Sequence, residues 1–249
     1  VQKKVWKCVN SSSKIICISK KLLSDAVAAG IPEQKLAYIP LGIDVSRFEK
    51  TCTSDFSSRI NYEHENKLIF LSVGHLNKGK GITYLLQAVS QLQSDLRKKC
   101  HFVIVGDGPE KANLFNEAVS LKISDSVTFT GRLVGDNLTG LYSDADVFIL
   151  PSLSEGRPTV INEAMVSGCA IIASNIDGVP EQVTDGYNGF LVKPGNALNL
   201  AGKISQLIQD KNLMQTMGKN SKRKILDEGI TWENYARTVE KVYTDVINE

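Results

Sequence analysis

The sequence predicts an α/β protein built on a doubly wound parallel sheet, and three observations carry that prediction. From Lys67 onward, short apolar runs alternate with amphipathic stretches of helical period. The apolar runs are β-branched and continuous rather than alternating, as strands covered on both faces require. Glycine-bearing turns follow several of the runs, where a parallel sheet presents its strand ends and helix N-termini.

Leu68–Val73, Phe102–Val105, Val127–Phe129, Val147–Leu150, Ala170–Ala173 and Phe190–Val192 read as strands. After the first, Ile82, Leu85, Leu86, Val89 and Leu92 share one helical face, and after the second Leu114, Ala118 and Leu121 do the same. Beyond Val192 the pattern is helical throughout: Ala197–Gln209, Leu213–Leu226, then a helix capped by Thr231 that carries Trp232, Tyr235, Val239, Val242 and Tyr243. Ahead of Lys67 come a strand-like run Ile15–Ser19, a helix closed by Gly30, the run Leu36–Ile39 and the turn Pro40-Leu41-Gly42. The polar, Ser-rich stretch 51–66 reads as a loop.

These elements divide the chain into 1–48, the remnant of a preceding domain with its connector; 49–66, a linker; 67–230, the sheet domain; and 231–249, a C-terminal crossing helix. The first part holds one βα unit, too little to enclose a core of its own. Two complete doubly wound domains need on the order of 300 residues. A chain of 249 residues is therefore expected to represent one of two domains.

Composition excludes several classes of function. The chain has 29 Lys+Arg against 27 Asp+Glu, a net charge of +2, and neither a nucleic-acid footprint nor a disordered acidic tail fits that balance. Cys8, Cys17, Cys52, Cys100 and Cys169 are scattered, without a C-x-x-C pair, and read as reduced thiols of a cytoplasmic protein with no metal site. No apolar run reaches the roughly 18–20 residues of a membrane span. Any peripheral membrane association is expected to come through the other domain or the small Lys3, Lys4, Lys7 cluster.

Three turns offer backbone to an anion or a sugar: Gly74–Gly81, Gly106-Asp107-Gly108-Pro109 and Ser154–Pro158. The first has the spacing G-x-x-x-x-G-K but ends in Gly81, where a nucleotide-hydrolysing P-loop needs a hydroxyl for magnesium. The second begins as G-x-G-x-x-G but has Lys111 at the third position, and no acid ends the next strand, which argues against a dinucleotide site. What survives is Lys80 at a Gly-rich strand end, a sound place for a phosphate. Glu155 follows the strand Val147–Leu150, and Glu163 lies eight positions on, with Pro158 suited to the first turn of the helix between them. A rise of roughly 7.5 Å over those helical residues sets the two acids at different heights, able to grip two parts of one elongated ligand. The alternative is that Glu155 complements the helix dipole and Glu163 is solvated surface.

The segment Ser154-Glu155-Gly156-Arg157-Pro158-Thr159-Val160-Ile161-Asn162-Glu163-Ala164-Met165 resembles the E-x7-E signature of retaining GT-B glycosyltransferases of family 4. Val73–Gly81 resembles that family's phosphate loop, and Gly106–Pro109, Val127–Gly131 and Asp177-Gly178-Val179-Pro180-Glu181 fall where it has its G-x-G turn, base-reading strand end and GG-x-PE loop. Ile15–Lys20 and Tyr38–Asp44 are similar to the close of its N-terminal domain and its interdomain connector. The resemblance implies sugar transfer from a nucleotide-sugar donor of UDP, GDP or ADP type to a hydroxyl acceptor, with retention, and without metal or other cofactor.

By the same resemblance Lys80 binds the diphosphate, Glu155 contacts the donor sugar at the reacting carbon, and Glu163 hydrogen-bonds the ribose. The backbone of Gly156, Arg157, Pro158, Thr159 and Val160 meets sugar hydroxyls and phosphate. Gly74 and His75, Gly106 and Gly108, and Gly131 and Arg132 complete the nucleotide site, the last pair meeting the base. An acceptor glycan or glycolipid is expected to bind through the missing N-terminal domain. His75 replaces the family's usual arginine, so diphosphate binding is expected to be weaker, to draw on Lys78, and to tighten as pH falls through the ordinary imidazole range near 6.5. The alternative is that His75 only packs at its strand end. A non-catalytic nucleotide-sugar-binding module is the competing function. A GT-B sugar-nucleotide epimerase would lack the E-x7-E spacing.

Overall fold

The computed structural model describes residues 2–49 and 67–248, so the linker reading of 49–66 falls almost wholly outside the described residues. The chain opens with a helix, α1 (Gln2–Ser11), which the sequence reading left unassigned. The side chains of Lys3, Lys4 and Lys7 lie outside the described part. A βαβ unit follows: β1 (Ile15–Cys17), α2 (Lys20–Ala28) and β2 (Leu36–Tyr38), the strands paired in parallel. The first strand stops short of Ser19, which caps α2 by accepting from the Leu22 amide at 3.1 Å. A single turn, α3 (Ser46–Glu49), ends this part.

The main sheet has six parallel strands: β3 (Leu68–Val73), β4 (Cys100–Val105), β5 (Val127–Gly131), β6 (Val147–Leu150), β7 (Ala170–Ser174) and β8 (Gly189–Val192). Their order is β5-β4-β3-β6-β7-β8. The chain winds outward from β3, returns to lay β6 beside it, and winds out the other way. That is the doubly wound arrangement, with its switch point between β3 and β6.

The connecting helices are α4 (Ile82–Ser90), α5 (Ser94–Arg97), α6 (Lys111–Ser120), α7 (Asp136–Asp144), α8 (Thr159–Val166), the turn α9 (Val179–Gln182), then α10 (Ala197–Gln209), α11 (Lys211–Asp227) and α12 (Trp232–Asn248). One apolar layer joins α4, α6 and α10 to the sheet, and a second joins α7 and α8 to its other face. Helix α4 inserts Ile82, Leu85, Leu86 and Val89 fully, each worth about 1.5–3 kcal/mol of burial. The C-terminal part is tied to the connector where Ile43 and Thr231 bridge and the Trp232 amide donates to the Ile43 carbonyl at 3.2 Å. The Thr231 hydroxyl caps α12 through the Asn234 amide.

Helix α7 also went unread in the sequence, because Gly140 interrupts it and its polar residues blur the period. Among the described residues no helix is long and apolar enough to cross a membrane. Burial pushes the Cys100 thiol up to about 12 and raises Cys169 and Cys17 as well, while Cys8 is exposed. A thiolate reagent at mildly alkaline pH is accordingly expected to label Cys8 rapidly in the native protein. Cys17, Cys100 and Cys169 should react only on unfolding, as peptide mapping after a timed pulse would register.

Candidate functional site

The crevice at a doubly wound switch point receives the loops that leave its two central strands. Here those are 74–81 after β3 and 151–158 after β6. In the first, a short 3₁₀ turn, Lys78–Lys80, is capped by Asn77, whose Oδ1 accepts the Lys80 amide at 3.2 Å. Gly81 follows at φ +65, and a Cβ there would stand 2.1 Å from the Pro151 carbonyl oxygen, so only glycine lets the two loops touch. The Leu153 amide donates to the Gly79 carbonyl at 2.8 Å and completes the seam.

The seam brings Lys80 Nζ within 2.6 Å of Glu155 Oε1, and Ser152 Oγ donates to the same oxygen at 2.7 Å. The Glu155 side chain is 9% exposed and that of Lys80 27%, so the pair is held largely out of water. The backbone of Glu155 is fixed independently. Its amide donates to Asp177 Oδ2 at 2.8 Å, and the Gly178 amide donates to the Gly156 carbonyl at 3.0 Å. Asp177 adopts φ +44, a left-handed conformation that an Asp tolerates better than most residues.

Pro158 stands just outside the helix as its N-cap residue, with φ −69 and ψ 121, and α8 begins at Thr159. The sequence had put Pro158 in the first turn. Its extended ψ carries the chain out of the Glu155 loop, and its carbonyl accepts Gln182 Nε2 at 3.0 Å. As at any helix start, the amides of Thr159 and Val160 have no partner inside the helix. Glu163 lies one turn up and is half-buried. Burial pushes its carboxyl above the usual range, opposed by the Tyr142 hydroxyl and by Arg47. Tyr142, fully buried, is raised by burial and by that carboxyl. Glu163 is thus neither solvated surface nor an ordinary acid.

Beside this pair, over the ends of β3, β4 and β5, opens a cleft of about 440 Å³. Gly74, His75, Gly106, Gly108 and Arg132 line it, with Val73 and Leu133 as apolar wall. Gly131 lies next to it, its carbonyl accepting the Gly106 amide at 2.9 Å. A Cβ on Gly106 would sit 1.9 Å from the Gly74 carbonyl oxygen. Gly106→Ala is therefore expected to cost roughly 3 kcal/mol or more, seen as a Tm loss of at least about 5 °C together with loss of nucleotide binding. His75 is exposed and stands near Asp107, whose carboxyl is held below its usual range by the Lys111 ammonium and the Gly108 amide, with a smaller contribution from His75. Among the described residues no group of three or more His, Cys, Asp or Glu side chains is placed to hold a metal ion.

The structure therefore brings Lys80 and Glu155 into contact and gathers Gly74, His75, Gly106, Gly108 and Arg132 around one cleft, with Gly131 behind. Arg157, read from the sequence as offering its backbone, is 6% exposed and is not among the residues that line this cleft. Ser152 is a site residue that the sequence reading missed, and Asp177 was seen only as part of a loop. Neither carries a motif signal of its own: Ser152 acts within its own loop, three positions from Glu155, and Asp177 reaches the Glu155 amide from the loop after β7.

A family model described as "Glycosyl transferases group 1" matches residues 54–224. An N-acetyl-alpha-D-glucosaminyl L-malate synthase of Bacillus anthracis is 24% identical over 97% of this chain and 62% of its own length. A UDP-Gal:alpha-D-GlcNAc-diphosphoundecaprenol alpha-1,3-galactosyltransferase of Escherichia coli is 28% identical over 96% of this chain and 60% of its own. The chain thus spans about three fifths of the curated relatives it matches. Among solved structures, Anabaena Alr3699/HepE in complex with UDP and glucose superposes with a TM-score of 0.88 at 22% identity, covering 98% of this chain and 68% of that one, a likeness of fold.

Proposed function

The chain belongs to the group 1 glycosyl transferases, and from that premise we propose that it is the donor-binding half of a retaining enzyme of family 4, moving a sugar from a nucleoside diphosphate to a hydroxyl acceptor. The observation that carries this reading is the Lys80–Glu155 pair at the switch point, 2.6 Å apart and flanked by a cleft of nucleotide size. The base and ribose lie in the cleft between His75, Gly106, Gly108 and Arg132, with the diphosphate toward Lys80. Lys80 and the free amides at the start of α8 meet the charge that grows on the leaving diphosphate, the part a metal ion plays elsewhere. Glu155, held by Lys80 and Ser152, faces the developing positive charge at the reacting carbon. The leaving phosphate guides the acceptor to the same face, which gives retention without a covalent enzyme intermediate.

That Alr3699/HepE was solved with UDP and glucose, and that a relative uses UDP-Gal, supports a UDP-sugar. The acceptor reading stays broad, a glycan or glycolipid reached through the other half, since one relative is named for malate and another for a lipid-linked diphosphate. The latter supports work at a membrane surface. Titration of this chain with UDP, GDP and ADP by calorimetry tests the donor reading. Saturable binding of one of them is expected, and binding of none overturns it.

Glu163 adds a pH signature. Because burial raises its folded pKa, ionising it costs stability as pH rises through the usual carboxylate range to that folded value. A ribose hydroxyl donating to the carboxylate favours the ionised form, so nucleotide affinity should rise with pH through the same window and level off above it. Glu163→Gln should remove this rise, weaken binding about tenfold and stabilise the ligand-free fold at neutral pH. Parallel binding profiles for the two proteins would refute the ribose role.

A further inference from the structure

We propose that Arg157 is an anion-binding residue of the acceptor side, its guanidinium receiving a phosphate or carboxylate oxygen of the acceptor on the flank of Glu155 away from the nucleotide cleft. The inference rests on the donor reading above. Arg157 is 6% exposed, and its Nε and Nη1 are fully shielded without a hydrogen-bond partner. A guanidinium cannot shed its proton to relieve that burial, so a charge in this position calls for an anion.

Among the described residues no carboxylate forms an ion pair with it or accepts a hydrogen bond from its Nε or Nη1. Tyr38, on β2, is its neighbour: burial pushes the Tyr38 hydroxyl up, and the Arg157 charge pulls against that rise. Glu181, which acts on the same Tyr38, has both oxygens engaged elsewhere. Oε1 accepts the Lys21 amide at 3.1 Å, and Oε2 accepts the Lys20 amide at 3.1 Å and the Tyr38 hydroxyl at 3.4 Å. Glu181 thereby closes the N-terminus of α2.

The sheet order places Arg157 relative to the chemistry. The cleft lies over β5, β4 and β3, the Lys80–Glu155 pair over β3 and β6, and the segment 177–182 follows β7. The Arg157 loop is bound to that last segment, through the Gly178 amide on the Gly156 carbonyl and Gln182 Nε2 on the Pro158 carbonyl. The N-terminal βαβ unit packs there too, with Ile18 and Leu22 against Gly156. Nucleotide cleft, reacting centre and the Arg157 loop thus run in that order along the carboxyl edge of the sheet.

The test loads this chain with the nucleotide it binds best among UDP, GDP and ADP, then titrates methyl phosphate and, separately, acetate. At least one probe is expected to bind saturably in the millimolar range, and which one does so tells phosphate from carboxylate. R157Q should weaken that binding at least tenfold and R157K should largely keep it, with nucleotide affinity within twofold throughout. In the unaltered chain, the arginine Nε–H resonance that R157K removes should move on titration, a readout that does not depend on R157Q folding. Neither probe binding, or the probe binding without moving that resonance, overturns the assignment. So does a folded R157Q that loses nucleotide affinity tenfold, which would put Arg157 in the donor site. Failure of the initial nucleotide titration overturns the donor reading itself, and the inference with it.

Discussion

Glu155→Ala, made in a protein that carries both halves, is expected to lower kcat by about 10²–10³-fold while changing nucleotide affinity only a few-fold. Loss of one preorganised group facing charge in a transition state has about that effect. The carboxylate is 9% exposed and held by two donors, Lys80 and Ser152, so its position is fixed before the donor arrives. Steady-state kinetics with a nucleotide sugar, beside calorimetry with the nucleotide alone, separate the two effects. A non-catalytic binding module predicts something different, because it has no turnover to lose and its Glu155 variant should behave like the parent. Full activity in the variant would refute the transferase reading of this residue.

Lys80→Ala is expected to weaken binding of the nucleoside diphosphate by about 10–100-fold, the size of one lost charge-assisted hydrogen bond, while binding of the bare nucleoside hardly changes. The contrast matters, since a general collapse of the cleft would weaken both. The same substitution should destabilise the ligand-free chain, because Glu155 is left almost buried without its cation. In an E155Q background that stability penalty should shrink, and the double-mutant cycle should yield a coupling of about 1–3 kcal/mol. Equal losses for nucleoside and nucleoside diphosphate would remove Lys80 from the phosphate site.

Strand-forming sequence was legible wherever both faces of the sheet are covered. Leu68–Val73 and Val147–Leu150 are strands with the bounds the apolar runs suggest, and Ala197–Gln209 is a helix with the same bounds. Legibility failed where local pattern and tertiary role part company. Helix α7 reads as polar because only one side meets the sheet, and β5 runs on to Gly131 because its last residues pair with β4 rather than fill the core. Pro158 fits a first helical turn on propensity, yet the bond to Gln182 and the turn out of the Glu155 loop hold it extended.

The amino-acid order alone determined the doubly wound class, the glycines that let the strand-end loops approach one another, and the presence of Lys80, Glu155 and Glu163 as chemically distinct candidates. These follow from periodicity and backbone sterics, which are local. Only the tertiary structure decided which charges meet. Lys80 and Glu155 are 75 positions apart in sequence and join because the topology returns β6 to the side of β3. The same packing buries half of Glu163 and nearly all of Arg157. Burial and partnership belong to the space between elements, so the raised carboxyl of Glu163 and the unpaired guanidinium of Arg157 had no signature in the chain until it folded.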